Sequence, residues 1–221
     1  MKPISPHYRT DEVGVLNSEL QQYLDDNFLK KLPNLTKNNP KILVVFSGGN
    51  AVGKSTLSKK IQMKLDALVL ENDSVKRNLL NIRPDLKEDK NQLNRLTWQY
   101  TMGLYSTLDK FTNNGLVVRD GVIDWYFDRV LPIFEKAGYR LFIIGYDLSD
   151  KKTKELIQKR GDTFNVAEER FYAIMKDHTI HMKRFRKLYE PTVTLNDNDV
   201  FNHKYVLTKL EKFVNTVRDS Q

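Results

Sequence analysis

The stretch from Lys41 to Thr56, K-I-L-V-V-F-S-G-G-N-A-V-G-K-S-T, constrains this chain more than any other. Its apolar, β-branched run from Ile42 to Phe46 has the makeup of a strand buried on both faces of a parallel sheet. Gly48-x-x-x-x-Gly53-Lys54-Ser55 follows, and then Leu57, Ile61 and Leu65 repeat at helical spacing. Strand, glycine loop and helix in that order are the setting a phosphate-binding P-loop needs. Glycines let the backbone curl so that its N–H groups converge on phosphate oxygens, and the next helix adds the positive end of its dipole. The loop Gly48, Gly49, Asn50, Ala51, Val52, Gly53, Lys54, Ser55 and Thr56 is therefore expected to cradle the phosphates of a nucleotide. Lys54 would reach the terminal phosphates as a point charge, and Ser55 would offer its hydroxyl to Mg²⁺.

The rest of the chain alternates strands with helices. Ala67 to Leu70 reads as a second strand ending in Glu71-Asn72-Asp73-Ser74, and Gly115 to Val118 as a third closing in Arg119-Asp120-Gly121. Tyr139 to Tyr146 and Thr192 to Leu195 make a fourth and a fifth. That alternation calls for an α/β fold with a parallel sheet of about five strands and helices on both faces. Ligands gather at the carboxyl ends of such strands, which turns Asp73 toward a γ-phosphate as a base for an acceptor hydroxyl. The plainer alternative has Asp73 or Ser74 capping the next helix. Asp120 stands where a carboxylate would hold Mg²⁺ or its water shell, unless it is only a turn residue before Gly121. Asp124 is a weaker candidate one turn on. Asn91 to Phe111 reads as a long helix on which Trp98, Tyr105 and Arg95 either line an acceptor pocket or, for the aromatics, join the core.

Residues 1–39 form an arm, with Leu16, Leu20, Tyr23, Leu24, Phe28 and Leu32 marking an amphipathic helix within 11–32 and a Pro-bounded linker over 33–40. Residues 40–221 would be the main domain. Within it, helices over 149–160 and about 166–187 flank a break from Gly161 to Asn165, and Arg160 and Arg170 bracket that break. A mobile lid at about 160–187 would carry these guanidinium groups over a transferring phosphate, with Arg184 and Arg186 next in order. His178 and His181 share a helix face but lack a third metal ligand nearby. Net charge is +8, and Lys151 to Glu190 holds eleven basic and six acidic residues, which suits a polyanionic ligand and would attract nucleic acid too. With no cysteine, disulfide and thiolate-metal chemistry are excluded. The absence of a signal pattern or membrane-length apolar run makes the cytoplasm the expected address.

With those residues in place, the chain resembles P-loop kinases of small metabolites and nucleic-acid ends, and most of all zeta-toxin-like kinases, with chloramphenicol phosphotransferases and polynucleotide 5′-kinases near them. The loop Gly48 to Thr56, the tail E-N-D-S-V-K-R, the tail V-V-R-D-G and the arginines around Gly161 carry the likeness across about residues 40–217. It implies a nucleotide-kinase type of P-loop NTPase fold with a helical N-terminal extension and an Arg-bearing lid. It implies ATP and Mg²⁺ as cofactors, Asp73 as the acceptor-activating base, and Lys54, Arg160 and Arg170 around the transferring phosphate. Ser55 and Asp120 would attend the metal, although the third-strand tail lacks the extended acidic pattern of some nucleotide kinases. The expected activity is transfer of a γ-phosphate to a hydroxyl of a small acceptor such as a nucleotide sugar or nucleoside. Polynucleotide 5′-hydroxyl kinase activity is the alternative, or an ATP-binding interaction protein with an antitoxin-like partner.

Overall fold

The computed structural model describes residues 18–28, 39–48, 52–108, 115–159 and 168–220, with the backbone alone at 19 and 168–175. Five strands, β1 (Ile42–Ser47), β2 (Leu68–Glu71), β3 (Leu116–Val122), β4 (Arg140–Asp147) and β5 (Val193–Asn196), form one sheet in the order β2-β3-β1-β4-β5. Every pairing is parallel. This is the fold of P-loop nucleotide kinases, with the glycine loop leaving the central strand.

The run Ile42 to Phe46 is wholly buried because the sheet is covered on both sides. Leu43 and Val45 point into a core shared with α3 (Asn72–Ile82), α4 (Lys90–Ser106), α5 (Phe127–Lys136) and Phe185 of α7 (Glu168–Arg186). Ile42, Val44 and Phe46 point the other way, into a core shared with α2 (Lys54–Leu65), α6 (Asp150–Lys159) and α8 (His203–Asp219). Successive side chains of a strand face opposite sides, so one apolar run supplies both cores. Burying each such side chain stabilises the fold by about 1.5–3 kcal/mol.

Helix α1 (Ser18–Asn27) lies on the first of these cores, where Leu24 and the following Phe28 are buried. Phe28 meets Tyr100 of α4 edge-on at 6.0 Å. The Tyr100 hydroxyl donates to Asp25 Oδ1 at 3.0 Å, and burial, reinforced by that carboxylate, raises the phenol above its ordinary pKa. The described helix is shorter than the pattern over 11–32; residues 11–17 and 29–32 lie outside the described residues.

Two elements differ from the expected boundaries in informative ways. Helix α4 ends at Ser106 rather than Phe111, where the Ser106 and Thr107 hydroxyls donate back to the Gly103 carbonyl at 2.8 and 2.9 Å. Such back-bonding competes with continued helix. Strand β3 runs past Asp120 to Val122 instead of stopping at Val118. Its register against β1 shifts by two residues, from Val44↔Val118 to Phe46↔Val122, while Arg119 and Asp120 stay paired with Leu70 and Glu71 of β2. Gly121, at φ 146°, supplies the conformation this bulge needs. A 3₁₀ turn at Pro84–Lys87 joins α3 to α4. No described helix is long and apolar enough to cross a membrane.

Candidate active site

The site is built at the carboxyl edge of the sheet. At the end of β1, Gly48 has φ +78°, and a Cβ there would stand 2.5 Å from the Tyr146 carbonyl oxygen of β4. Only glycine fits. Gly53 also has positive φ (77°), caps α2, and accepts the first helical bond from the Leu57 N–H at 3.0 Å. The start of α2, Lys54 to Thr56, is thereby aimed with its N–H groups toward the space above the loop. Gly49, Asn50 and Ala51 lie outside the described residues.

Two side chains hold the root of this loop, and sequence reading underrated both. Asp124 is fully buried, and its Oδ2 accepts from the Gly48 N–H at 2.7 Å. His178 of α7 brings Nε2 to 3.3 Å from the same oxygen, off the line a hydrogen bond requires. Trp125 lies parallel to both histidines of α7, its ring 4.5 Å from His181 and 6.3 Å from His178. From the end of α7, Arg186 donates Nε to Ser47 Oγ at 3.2 Å and Nη2 to the Tyr146 carbonyl at 3.2 Å, and pairs through Nη1 with Asp147. Arg186 is thus a clamp between the ends of β1 and β4. Arg184 pairs with Asp128 at 3.2 Å and lies over the Phe127 ring.

The carboxylates converge on α2. The β2–β3 register sets Glu71 beside Asp120. Burial pushes the Asp120 pKa up; the Ser55 hydroxyl opposes this, Glu71 adds to it, Lys54 lowers it and Asp73 raises it. Glu71 itself accepts from Ser74 Oγ at 2.8 Å and lies 3.5 Å from Arg77. Asp73 sits in the first turn of α3 with 81% of its side chain exposed and makes no capping bond; Lys76 Nζ is 4.0 Å away. These are hard oxygen donors, suited to Mg²⁺ held by one or two protein groups and completed by substrate phosphates. Among the described residues no cluster of three or more His, Cys, Asp or Glu could hold a metal by itself.

A cavity of about 340 Å³ opens over the loop, walled by Val52 to Thr56, Leu156 and Lys159 of α6, and Phe201. Phe201 is 54% exposed and borders Gly53, so it presents a ring to whatever fills the cavity. The only hint of it in the sequence is a lone aromatic in the polar turn N-D-N-D-V-F-N after β5. A second cavity, of about 220 Å³, is lined by Asn72 and Lys76 of α3 and partly walled by Trp98. Of its expected companions, Tyr105 instead packs in the core against Phe134 at 5.2 Å, and Arg95 is exposed and outside the cavity. Burial raises the Tyr105 phenol, with the Arg119 charge opposing. Arg160 lies outside the described residues; Arg170 is on α7, its side chain likewise outside them.

A family model described as an AAA domain matches residues 43–179, more than half of the chain. The chain belongs to this AAA-domain family. Among solved structures it is similar to a protein from the PezAT chromosomal toxin–antitoxin system of Streptococcus pneumoniae, with 15% identity over 79% of this chain and 73% of that one, at a TM-score of 0.55. A candidate kinase from Chloroflexus aurantiacus aligns at 18% identity over 81% of this chain and 99% of its own, with a TM-score of 0.56. At these identities the likeness is one of fold. No curated protein matches the sequence significantly.

Proposed function

We propose that this protein is an ATP- and Mg²⁺-dependent phosphotransferase acting on a hydroxyl of a small acceptor. The observation that carries the reading is the convergence of Lys54, Ser55, Asp120 and Asp73 at one sheet edge, with a cavity on either side. Loop N–H groups and Lys54 would bind and orient the phosphates, and Ser55 and Asp120 would hold the metal. Mg²⁺ supplies charge neutralisation on the transferring phosphoryl group. Asp73, solvent-facing and without a capping duty, would orient the acceptor hydroxyl and take its proton. Arg160 and Arg170 would stabilise charge on the phosphoryl group from the lid, as expected of guanidinium groups that dock on closure.

The deciding experiment is single-turnover transfer from γ-labelled ATP to a panel of nucleosides, sugars, sugar phosphates, nucleotide sugars and 5′-hydroxyl oligonucleotides. Asp73→Asn should bind ATP as the parent does and lose about 10²- to 10⁴-fold in transfer; unchanged transfer rules Asp73 out as the base. A protein partner is favoured by one observation, the toxin–antitoxin origin of the pneumococcal neighbour. Against it, the apolar residues Leu24 and Phe28 of the α1 segment are already buried on the chain's own core.

A further inference from the structure

The 220 Å³ cavity carries information about the acceptor that the phosphate loop does not. Its floor is α3, through Asn72 and Lys76; its far wall is α4, through Asn94, Thr97 and Trp98; Tyr126 and Arg129 close it from the start of α5. Lys76 also lies 4.0 Å from Asp73, so the cavity adjoins the proposed base.

Three properties define what fits. The first is size. Pockets for drug-sized ligands run to about 300–1,000 Å³, so this one suits a single ring or a short chain better than a whole nucleotide sugar. The second is charge. Among the described residues, two cations, Lys76 and Arg129, line the cavity and no carboxylate does. A guanidinium pairs with a carboxylate or phosphate through two parallel bonds, while the ammonium adds a point charge. The third is a fixed aromatic wall. The Trp98 and Tyr126 rings lie 4.7 Å apart at 37°, and the buried Arg119 guanidinium stands 6.0 Å from the Tyr126 centroid on a bond to the Val122 carbonyl at 3.1 Å. Asn72 Oδ1 lies 3.3 Å from the Thr101 hydroxyl, which also donates to the Thr97 carbonyl at 2.8 Å.

We infer that this cavity is the acceptor site and that it selects a compact hydroxylated anion, one ring or short chain bearing a phosphate or carboxylate, over neutral sugars and nucleotide sugars. The anion rests on Arg129 and Lys76, the apolar face of the ring on Trp98, and a hydroxyl reaches Asp73. The transfer step rests on the kinase reading; the binding does not. In that step the hydroxyl oxygen forms a bond to the γ-phosphorus, the bond to the β,γ-bridging oxygen breaks, the hydroxyl proton goes to Asp73, and ADP leaves with the bridging electron pair.

The test uses the full chain and matched probes: glucose 6-phosphate and glucuronate against glucose, 3-phosphoglycerate against glycerol, and UDP-N-acetylglucosamine as the large arm. Binding is read by calorimetry in the presence of Mg²⁺ and a non-hydrolysable ATP analogue, and the Mg²⁺-ATP shift in melting temperature is read separately. At least one charged probe should bind ten times or more tighter than its neutral match, with glucose 6-phosphate and glucuronate separating phosphate from carboxylate selection. Arg129→Met and Lys76→Met should each remove that preference while keeping the parent's ATP shift and apo melting temperature, and Trp98→Leu should weaken ring-shaped probes more than 3-phosphoglycerate. Equal binding of charged and neutral probes, no binding of any charged probe by a protein that binds ATP, or tight UDP-N-acetylglucosamine binding indifferent to Arg129→Met each overturns the inference. Anion preference without any ATP shift would overturn the kinase reading and leave this site standing.

Discussion

The buried carboxylate of Asp124 accepts a hydrogen bond from the backbone N–H of Gly48, the first glycine of the phosphate loop, at 2.7 Å. The same oxygen has His178 of α7 at 3.3 Å. Loop, β3 extension and the helix that follows residues 160–167 therefore meet at one atom. Asp124 thus holds the peptide from which the loop departs.

Removing that acceptor should cost stability before it costs chemistry. Asp124→Ala leaves a buried N–H unpaired, a penalty of about 1–3 kcal/mol, which for a chain of this size lowers Tm by about 2–4 °C per kcal/mol. Asp124→Asn keeps an acceptor oxygen and should lose less. Scanning fluorimetry with and without Mg²⁺-ATP measures both; an Asp124→Ala protein melting with the parent would contradict the role.

Asp120 should show the opposite balance. Burial, with Glu71 and Asp73 nearby, raises its pKa in the folded protein. The stability this group contributes is full below the ordinary carboxylate value and is lost as pH rises through the raised one, so its ionised form is a net cost at neutral pH. Asp120→Asn should therefore melt above the parent at pH 7.5, with the gap narrowing toward pH 4, while the Mg²⁺-dependent part of the ATP shift disappears. A variant no more stable than the parent at neutral pH, or one that keeps its Mg²⁺ response, would overturn this assignment.

The parallel sheet and the glycine turn that leaves its central strand were legible because each is a local pattern, an apolar run and a glycine spacing. What was not legible depends on pairs far apart in the chain. Nothing near Asp124 announces a partner 76 residues upstream, and nothing near Arg186 announces Ser47, 139 residues away. The R-D-G after Val118 read as a turn because glycine ends strands as often as it bulges them; only pairing with β2 on one side and β1 on the other distinguishes the two. Trp98 and Tyr105 lie seven residues apart on one helix, nearly in phase, and it is the tertiary neighbours that send one to a cavity and the other to the core.

Phe201 offers a separate check on the nucleotide side. Its exposed ring lines the larger cavity at Gly53, where the base or ribose of a bound nucleotide would meet it. Stacking of a base on an aromatic ring is worth about 1–3 kcal/mol, so Phe201→Ser should weaken ATP binding about tenfold. Because the ring is half exposed, the apo melting temperature should hardly move. Titration with a fluorescent ATP analogue, repeated with inorganic triphosphate, separates base contact from phosphate contact: an equal loss for both ligands would rule out stacking.

The arginines of the lid region divide into two groups with opposite expected phenotypes. Arg186 bridges Ser47, the Tyr146 carbonyl and Asp147, and Arg184 pairs with Asp128, so both already serve the fold. A lysine cannot reproduce a three-way fork. Arg186→Lys should lose about 1.5–3 kcal/mol, the worth of hydrogen bonds to charged groups, and melt several degrees lower. Arg160 and Arg170, proposed for the closed lid, should behave the other way. Lysine there should leave the melting temperature within about 1 °C of the parent, because a guanidinium that docks on phosphate only on closure contributes to the transition state rather than to the apo fold. It would slow single-turnover transfer at least about tenfold, or roughly 1.4 kcal/mol of transition-state stabilisation. Melting curves and single-turnover rates on the same three variants decide the assignment. If Arg186→Lys melts with the parent but loses transfer, while Arg160→Lys and Arg170→Lys keep theirs within twofold, the charge on the transferring phosphate is met by Arg186 and the lid assignment is wrong.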